Sequence, residues 1–241
     1  MSLGRVESFL AEAETEKYQV LGNSTSHQAE IGFEHATFSW QTRKWSTDRS
    51  PTDSKATEIA GPFTLDDIDL KFKTGKLNII TGATGSGKSS MLYALLGEIP
   101  PVAGRVIMPP AARREVLPQD EKPDLAEHGV AFCAQDAWLA NDTLRNNILF
   151  GRQLNEGRYQ AVLHACALKP DLQILPQGDL TLVGDGGVCL SGGQKQRVSL
   201  ARAVYSDARH LLLDDCLSAV DSYTASWIFQ RCITGPLSAP K

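Results

Sequence analysis

Nowhere in the 241 residues is there an apolar run of the roughly 18 to 20 residues that a membrane-crossing helix requires. The first residues also lack the charged-then-apolar pattern of a secretory signal. Any link to a membrane is therefore expected through other polypeptide. Positive charge is in short supply too. The chain has 24 basic against 28 acidic residues and a formal net charge of -4, so no broad positive field draws it to a nucleic-acid backbone or an anionic lipid surface. Nucleic acid is accordingly not expected as a partner. The five cysteines, Cys133, Cys166, Cys189, Cys216 and Cys232, form no CxxC pair and have no histidine at metal-ligand spacing. They read as buried thiols of a reducing compartment, which excludes a disulfide framework or a zinc site. What is present, 42% hydrophobic residues, is enough to build the core of one large domain or of a domain with a subdomain.

Along the chain, Val6, Phe9, Leu10 and Ala13 recur at helical spacing, so residues 1 to 18 are expected as a one-striped helix that needs a partner. Asn23-Ser24-Thr25-Ser26 reads as a flexible joint. Ile31, Phe33, Phe38 and Trp40 mark a strand, and the polar residues 41 to 61 a surface insertion. Strands resume at Phe63, and Leu77-Asn78-Ile79-Ile80-Thr81 is expected as a buried parallel strand. Met91, Leu92, Leu95 and Leu96 give a helical face, residues 109 to 127 a second insertion, and Val130-Ala131-Phe132-Cys133 a return to the sheet. Between Asp142 and Tyr205 the periodicity is helical. Tyr159, Val162, Leu163 and Cys166 share one face, and Val198, Ala201 and Tyr205 another, as in a helical subdomain set into a sheet-containing core.

Three segments carry chemistry. Gly82-Ala83-Thr84-Gly85-Ser86-Gly87-Lys88-Ser89-Ser90 is a phosphate-binding loop placed between the expected strand and a helix. Its backbone N–H groups and the helix N-terminus can wrap the β- and γ-phosphates, Lys88 adds a positive charge, and the Ser89 hydroxyl can ligate Mg²⁺. Leu211-Leu212-Leu213-Asp214 is a strand ending in a carboxylate. It suits a second holder of Mg²⁺ through water, although an Asp there can also simply cap a turn. Ser191-Gly192-Gly193-Gln194 stands before a helical run. Two glycines allow close backbone approach to an anion and Ser191 can donate to it, yet taken alone the segment is also an ordinary helix cap. Because the chain already has a phosphate loop, a second anion-suited helix start suggests a phosphate presented by another molecule.

Together, the glycine loop, Leu190-Ser191-Gly192-Gly193-Gln194 and Asp214-Asp215 resemble the nucleotide-binding domain of an ATP-binding-cassette (ABC) protein, from about Ile31 to Leu237. The resemblance implies an α/β P-loop NTPase fold, RecA-like with an antiparallel β subdomain, carrying an inserted helical signature subdomain at about 136–205. The cassette would occupy 30–241, and residues 1–22 would be a linker helix from a preceding transmembrane domain. ATP and Mg²⁺ are the implied ligands. Two cassettes would meet head to tail, each ATP lying between one phosphate loop and the other's LSGGQ segment. Gln135 resembles the loop glutamine that senses Mg²⁺ and the transmembrane part. Ser218-Ala219-Val220-Asp221 resembles the D-loop, and Trp40 the aromatic that stacks on adenine, although Trp40 also fits a core role and Trp45 is the less suited alternative. A finer resemblance is to the first cassette of C-subfamily proteins, of the multidrug-resistance-associated and sulphonylurea-receptor type. It rests on Ala36-Thr37-Phe38-Ser39-Trp40, Gln135-Asp136-Ala137-Trp138-Leu139, residues 141–151 and Asp214-Asp215-Cys216-Leu217-Ser218-Ala219-Val220-Asp221.

Two departures qualify that resemblance. Asp215 stands where most hydrolytic cassettes have Glu, one methylene shorter and so withdrawn by roughly 1.5 Å. A well-placed general base is worth roughly 10² to 10⁴ in rate, so the chain's own site is expected to bind ATP well and hydrolyse it poorly. Cys216 stands where the family usually has Pro, which frees the local φ angle. In addition, no histidine follows His210, so the family's last core strand and switch histidine are expected to be missing, as in a fragment of a longer polypeptide or a truncated gene model. The expected role is a cassette on the cytosolic face of a membrane, joined to transmembrane domains in cis, coupling ATP binding and hydrolysis to transport. A nucleotide-sensing regulatory module of a channel-associated ABC protein is the alternative. A chromosome-maintenance or ribosome-associated ATPase would need a coiled coil or basic elements, and neither occurs between Gln135 and Leu190.

Overall fold

A computed structural model describes residues 31–40, 63–108, 129–184, 187–206 and 208–238. The expected N-terminal helix, the Asn23–Ser26 joint, Trp45 and both polar insertions lie outside the described residues. The chain divides into two compact units, Met1–Thr74 with Asn78–Pro109 and Gly75–Leu77 with Pro110–Lys241.

The first unit is built on a three-stranded antiparallel sheet in the order β2-β1-β3, with β1 Ile31–Ser39, β2 Thr64–Phe72 and β3 Pro101–Ile107. Its central strand solves a parity problem visible in the sequence. Ile31 and Phe33 face the core, and so do Ala36 and Phe38, although Phe33 and Phe38 are an odd number of residues apart. Strand side chains alternate with period two, so one extra residue must intervene. It does: the pairing shifts on both sides of Ala36, and His35 takes a left-handed φ of 44°. The two phenylalanine rings then meet edge to face at 5.4 Å. Helix α1, Lys88–Leu95, buries Leu92, Ala94 and Leu95.

Residues Leu77–Thr81 do not form the buried parallel strand expected of them. The run joins no described ladder, and Leu77 and Ile79 are 50% and 69% exposed. Apolar, β-branched composition gives a propensity only; a strand exists through hydrogen bonds to a neighbour, and this run also straddles the divide between the units.

In the second unit, β4 Val130–Cys133 pairs in parallel with β7 His210–Leu213. A short antiparallel pair, β5 Asp142–Thr143 and β6 Leu182–Val183, leads into helices α2 Leu144–Leu149, α3 Glu156–Ala165 and α4 Lys169–Ile174. The longest helix among the described residues, α5 Gly192–Tyr205, is followed by β7 and by α6 Ser222–Ile228. The two apolar faces read from the sequence are buried in one core: Tyr159, Val162, Leu163 and Cys166 with Val198, Ala201 and Tyr205. Asn147, itself buried, ties this core to the segment after β4. Its side chain accepts from the Ala140 N–H and an Arg202 guanidinium N–H and donates to the Ala140 and Thr143 carbonyls.

Four cysteines, Cys133, Cys166, Cys216 and Cys232, are buried and Cys189 is exposed, all with free thiols. Burial pushes the Cys216 thiol up to about 12 and raises Cys133 as well. Since the thiolate is the reactive form, a native chain treated with an aromatic disulfide reagent is expected to release one equivalent quickly, from Cys189. The other four should react only on unfolding. Cys216, where the resemblance led one to expect Pro, thus acts as a small apolar side chain in the core.

Candidate functional site

The candidate residues fall into both units. In the first, the glycine loop closes on itself before α1. Ser86 N–H donates to the Ala83 carbonyl at 3.2 Å, and Gly85 and Gly87 have φ of 79° and 93°. Gly87 caps α1, where the backbone conformation favours glycine. Its φ is left-handed, and a Cβ would lie 2.7 Å from the Phe63 ring and 2.8 Å from Leu65. The loop is therefore a hydrogen-bonded turn that runs directly into the start of α1. Lys88 Nζ donates to the carbonyls of Gly82 at 3.0 Å and Ala83 at 2.8 Å, which holds the ammonium across the loop. Ser89 and Ser90 occupy the first turn of α1.

Trp40 sits beside this loop and outside the core. The residue is 43% exposed, its indole N–H donates to Ser90 Oγ at 3.0 Å, and its ring meets that of Tyr93 edge to face with centroids 6.2 Å apart. The exposure removes the core alternative. The aromatic residue and the phosphate loop, 50 positions apart in sequence, are joined by one hydrogen bond.

In the second unit the parallel pair brings Gln135 and the acidic pair together. Cys133 is opposite Leu213, and the Asp214 N–H donates to the Cys133 carbonyl at 2.9 Å. Gln135 and Asp214 therefore leave the same C-terminal edge of two adjacent strands, where α/β proteins place ligands. Gln196 of α5 donates to the Ala134 carbonyl at 3.2 Å and pins the chain just before Gln135. The Asp214 carboxylate is buried, whereas Asp215 is exposed and has a left-handed φ of 46°. The Ser218 N–H and hydroxyl both donate to the Asp215 carbonyl, so this turn is anchored by backbone and leaves the Asp215 side chain unencumbered. Within this unit Gln135 and Asp214 offer hard oxygen donors, the kind that suits Mg²⁺.

The signature segment forms a complete capping box. Ser191 Oγ accepts from the Gln194 N–H, and Gln194 Oε1 accepts from the Ser191 N–H. Its two glycines have different reasons to be there. A Cβ on Gly193 would lie 2.6 Å from the Ala219 carbonyl oxygen, so Gly193 is fixed by packing against the D-loop; a Cβ on Gly192 would meet nothing within 4 Å. Gly192 instead opens onto a hollow of about 440 Å³ lined with Ser191, Gly193, Arg197, Ala219, Asp221 and Thr224. Asp221 also caps α6 through the Thr224 N–H at 2.9 Å, which lowers its pKa below the ordinary carboxylate value. Thr224 was not singled out from the sequence, and Arg197 was read only as the end of the Lys195-Gln196-Arg197 run that continues the LSGGQ segment, with no role of its own. Arg197 follows the motif by three residues, one helical turn, and that spacing was the available signal.

A phosphate loop, a parallel strand pair ending in glutamine and acidic residues, and a glycine helix start define a mixed α/β protein with the P-loop NTPase fold. The model of the ABC transporter family matches residues 65–218. An ATP-dependent bile acid permease of Saccharomyces cerevisiae is 51% identical over 237 residues, 98% of this chain and 13% of the permease. An ABC transporter ATP-binding protein/permease, VMR1, of the same yeast is 48% identical over 98% of this chain and 14% of its own length. The pleiotropic ABC efflux transporter of multiple drugs YBT1 of Candida glabrata is 48% identical over 98% of this chain and 13% of its length. The chain belongs to the ABC transporter family. It spans about one seventh of the length of these relatives.

Proposed function

We propose that this chain is the ATP-binding cassette of an integral membrane ABC transporter and the first of two cassettes in a C-subfamily protein. The observation that carries this reading is the pair of anion-suited helix starts in one chain. One is the glycine loop ending at Lys88; the other is Gly192 at the mouth of the signature hollow. In this reading, ATP binds on Gly82–Ser90 with its adenine against Trp40. Mg²⁺, for which the family resemblance implies Ser89, Gln135 and Asp214 as holders, would neutralise phosphate charge when bound. Ser191, Gly192 and Gly193 present the start of α5 to the phosphates of a nucleotide on a second cassette, where N–H groups and the helix dipole favour negative charge. Closure of the two cassettes drives transmembrane domains in cis between inward and outward states. The relatives' names, a permease and an efflux transporter among them, support transport over pure regulation.

Asp215 makes the site unequal to its partner. It binds ATP and turns it over slowly, while the signature hollow completes the faster site elsewhere. Equilibrium binding of a fluorescent ATP analogue tests the first requirement. Lys88→Ala is expected to weaken affinity by roughly 10- to 100-fold, the loss of a charge-assisted phosphate contact worth about 1.5–3 kcal/mol. Unchanged affinity in that variant contradicts the reading.

A further inference from the structure

The signature segment is held by a residue that belongs to none of its motifs. Asp171 lies in the first turn of α4, 20 positions before Ser191, and its carboxylate is 12% exposed. One oxygen, Oδ1, accepts from Gln194 Nε2 at 2.9 Å and from Arg197 Nη2 at 3.2 Å; the other, Oδ2, accepts from Arg197 Nη1 at 2.6 Å. The Arg197 guanidinium, 15% exposed, donates further to the Ala167 carbonyl at 2.5 Å and the Gly193 carbonyl at 3.3 Å.

This arrangement decides which way the Gln194 amide points. An ionised carboxylate can only accept, so it demands the NH₂ end of Gln194 and turns the carbonyl end toward Ser191. That carbonyl is the acceptor for the Ser191 N–H at 2.9 Å. The Ser191 oxygen is in turn engaged by the Gln194 N–H, so its own O–H is left to donate outward into the hollow. The bidentate clasp on Arg197 fixes the other side, since Arg197 both lines the hollow and holds the Gly193 carbonyl. We infer that Asp171 is the positioning residue of the signature segment: it selects the Gln194 amide orientation and aims Arg197, and so presets the phosphate-facing geometry of Ser191, Gly192 and Gly193. This rests on the reading of the hollow as a phosphate site.

Asparagine is nearly isosteric but can offer either a donor or an acceptor, so Asp171→Asn removes the selection while keeping the volume; Asp171→Glu keeps the charge. The full chain, labelled with ¹⁵N and carrying Lys88→Ala to disable its own phosphate loop, is titrated with pyrophosphate while the Gly192 and Gly193 amide signals are followed. The parent is expected to shift at both glycines. Asp171→Asn should weaken the pyrophosphate constant by about tenfold and Asp171→Glu recover most of it. In the chain with Lys88 intact, ATP affinity at the phosphate loop should be the same for the parent and for Asp171→Asn. Equal pyrophosphate constants for the parent and Asp171→Asn overturn the inference alone. So does a loss that tracks a general fall in melting temperature and is not recovered by Asp171→Glu. No shift at Gly192 and Gly193 in the parent removes the phosphate reading of the hollow, and the inference with it.

Discussion

Substituting Asp215→Glu in the complete protein is expected to raise ATP turnover at this cassette by about 10²-fold, the lower end of what a well-placed general base contributes. The added methylene carries the carboxylate outward from a turn that the side chain does not hold together. Ser218 bonds the Asp215 carbonyl through both its N–H and its hydroxyl, so the backbone should keep its course. The left-handed φ of 46° does favour Asp over Glu, by a severalfold enrichment equivalent to about 1 kcal/mol. A small fall in melting temperature should accompany the gain in rate. Single-turnover hydrolysis checks this: a rate unchanged from the parent would mean that something other than the missing methylene limits the site.

The second large effect separates the two signature glycines. Gly192→Asp is expected to cut turnover of the complete protein by about 10²-fold, in the range of losing one transition-state donor or more, with no loss of stability. Its Cβ enters open space, and an acid in the first turn of α5 suits the helix dipole, yet its charge faces the phosphate that the hollow would receive. Gly193→Ala should do the reverse. Its methyl meets the Ala219 carbonyl at 2.6 Å, an overpacking that costs about 1–3 kcal/mol of stability before any effect on nucleotide. Thermal melts beside steady-state assays distinguish the two. If Gly192→Asp melts early with normal turnover, the hollow is packing and not a site. This division also means that a Gly193 variant alone is a poor probe of function.

Much of this was legible in the sequence where local rules and tertiary demands agree. The apolar stripes at Tyr159–Cys166 and Val198–Tyr205 have helical period and one core to fill, and both are buried. The loop Gly82–Ser90 could be read from its glycine spacing before a helix, and Gly87 indeed has the left-handed φ that favours glycine. Legibility failed where a partner decides. Leu77–Thr81 has the composition of a buried strand, but no composition supplies the ladder. Ile31, Phe33 and Phe38 announced a strand, while the bulge at His35 that lets all three face the core shows only as a broken alternation. Asp171 gave no signal at all, because its partners Gln194 and Arg197 are 23 and 26 positions away and a lone acid beside Pro170 reads as an ordinary first-turn residue.

The central claim is that this cassette keeps its ATP while its signature segment serves another. Photolabelling the complete protein with radioactive azido-ATP under turnover, followed by recovery of the nucleotide attached to the Trp40-containing peptide, tests it most directly. Label recovered as triphosphate, and lost in Lys88→Ala, is the predicted result. Diphosphate on that peptide during steady turnover would contradict it.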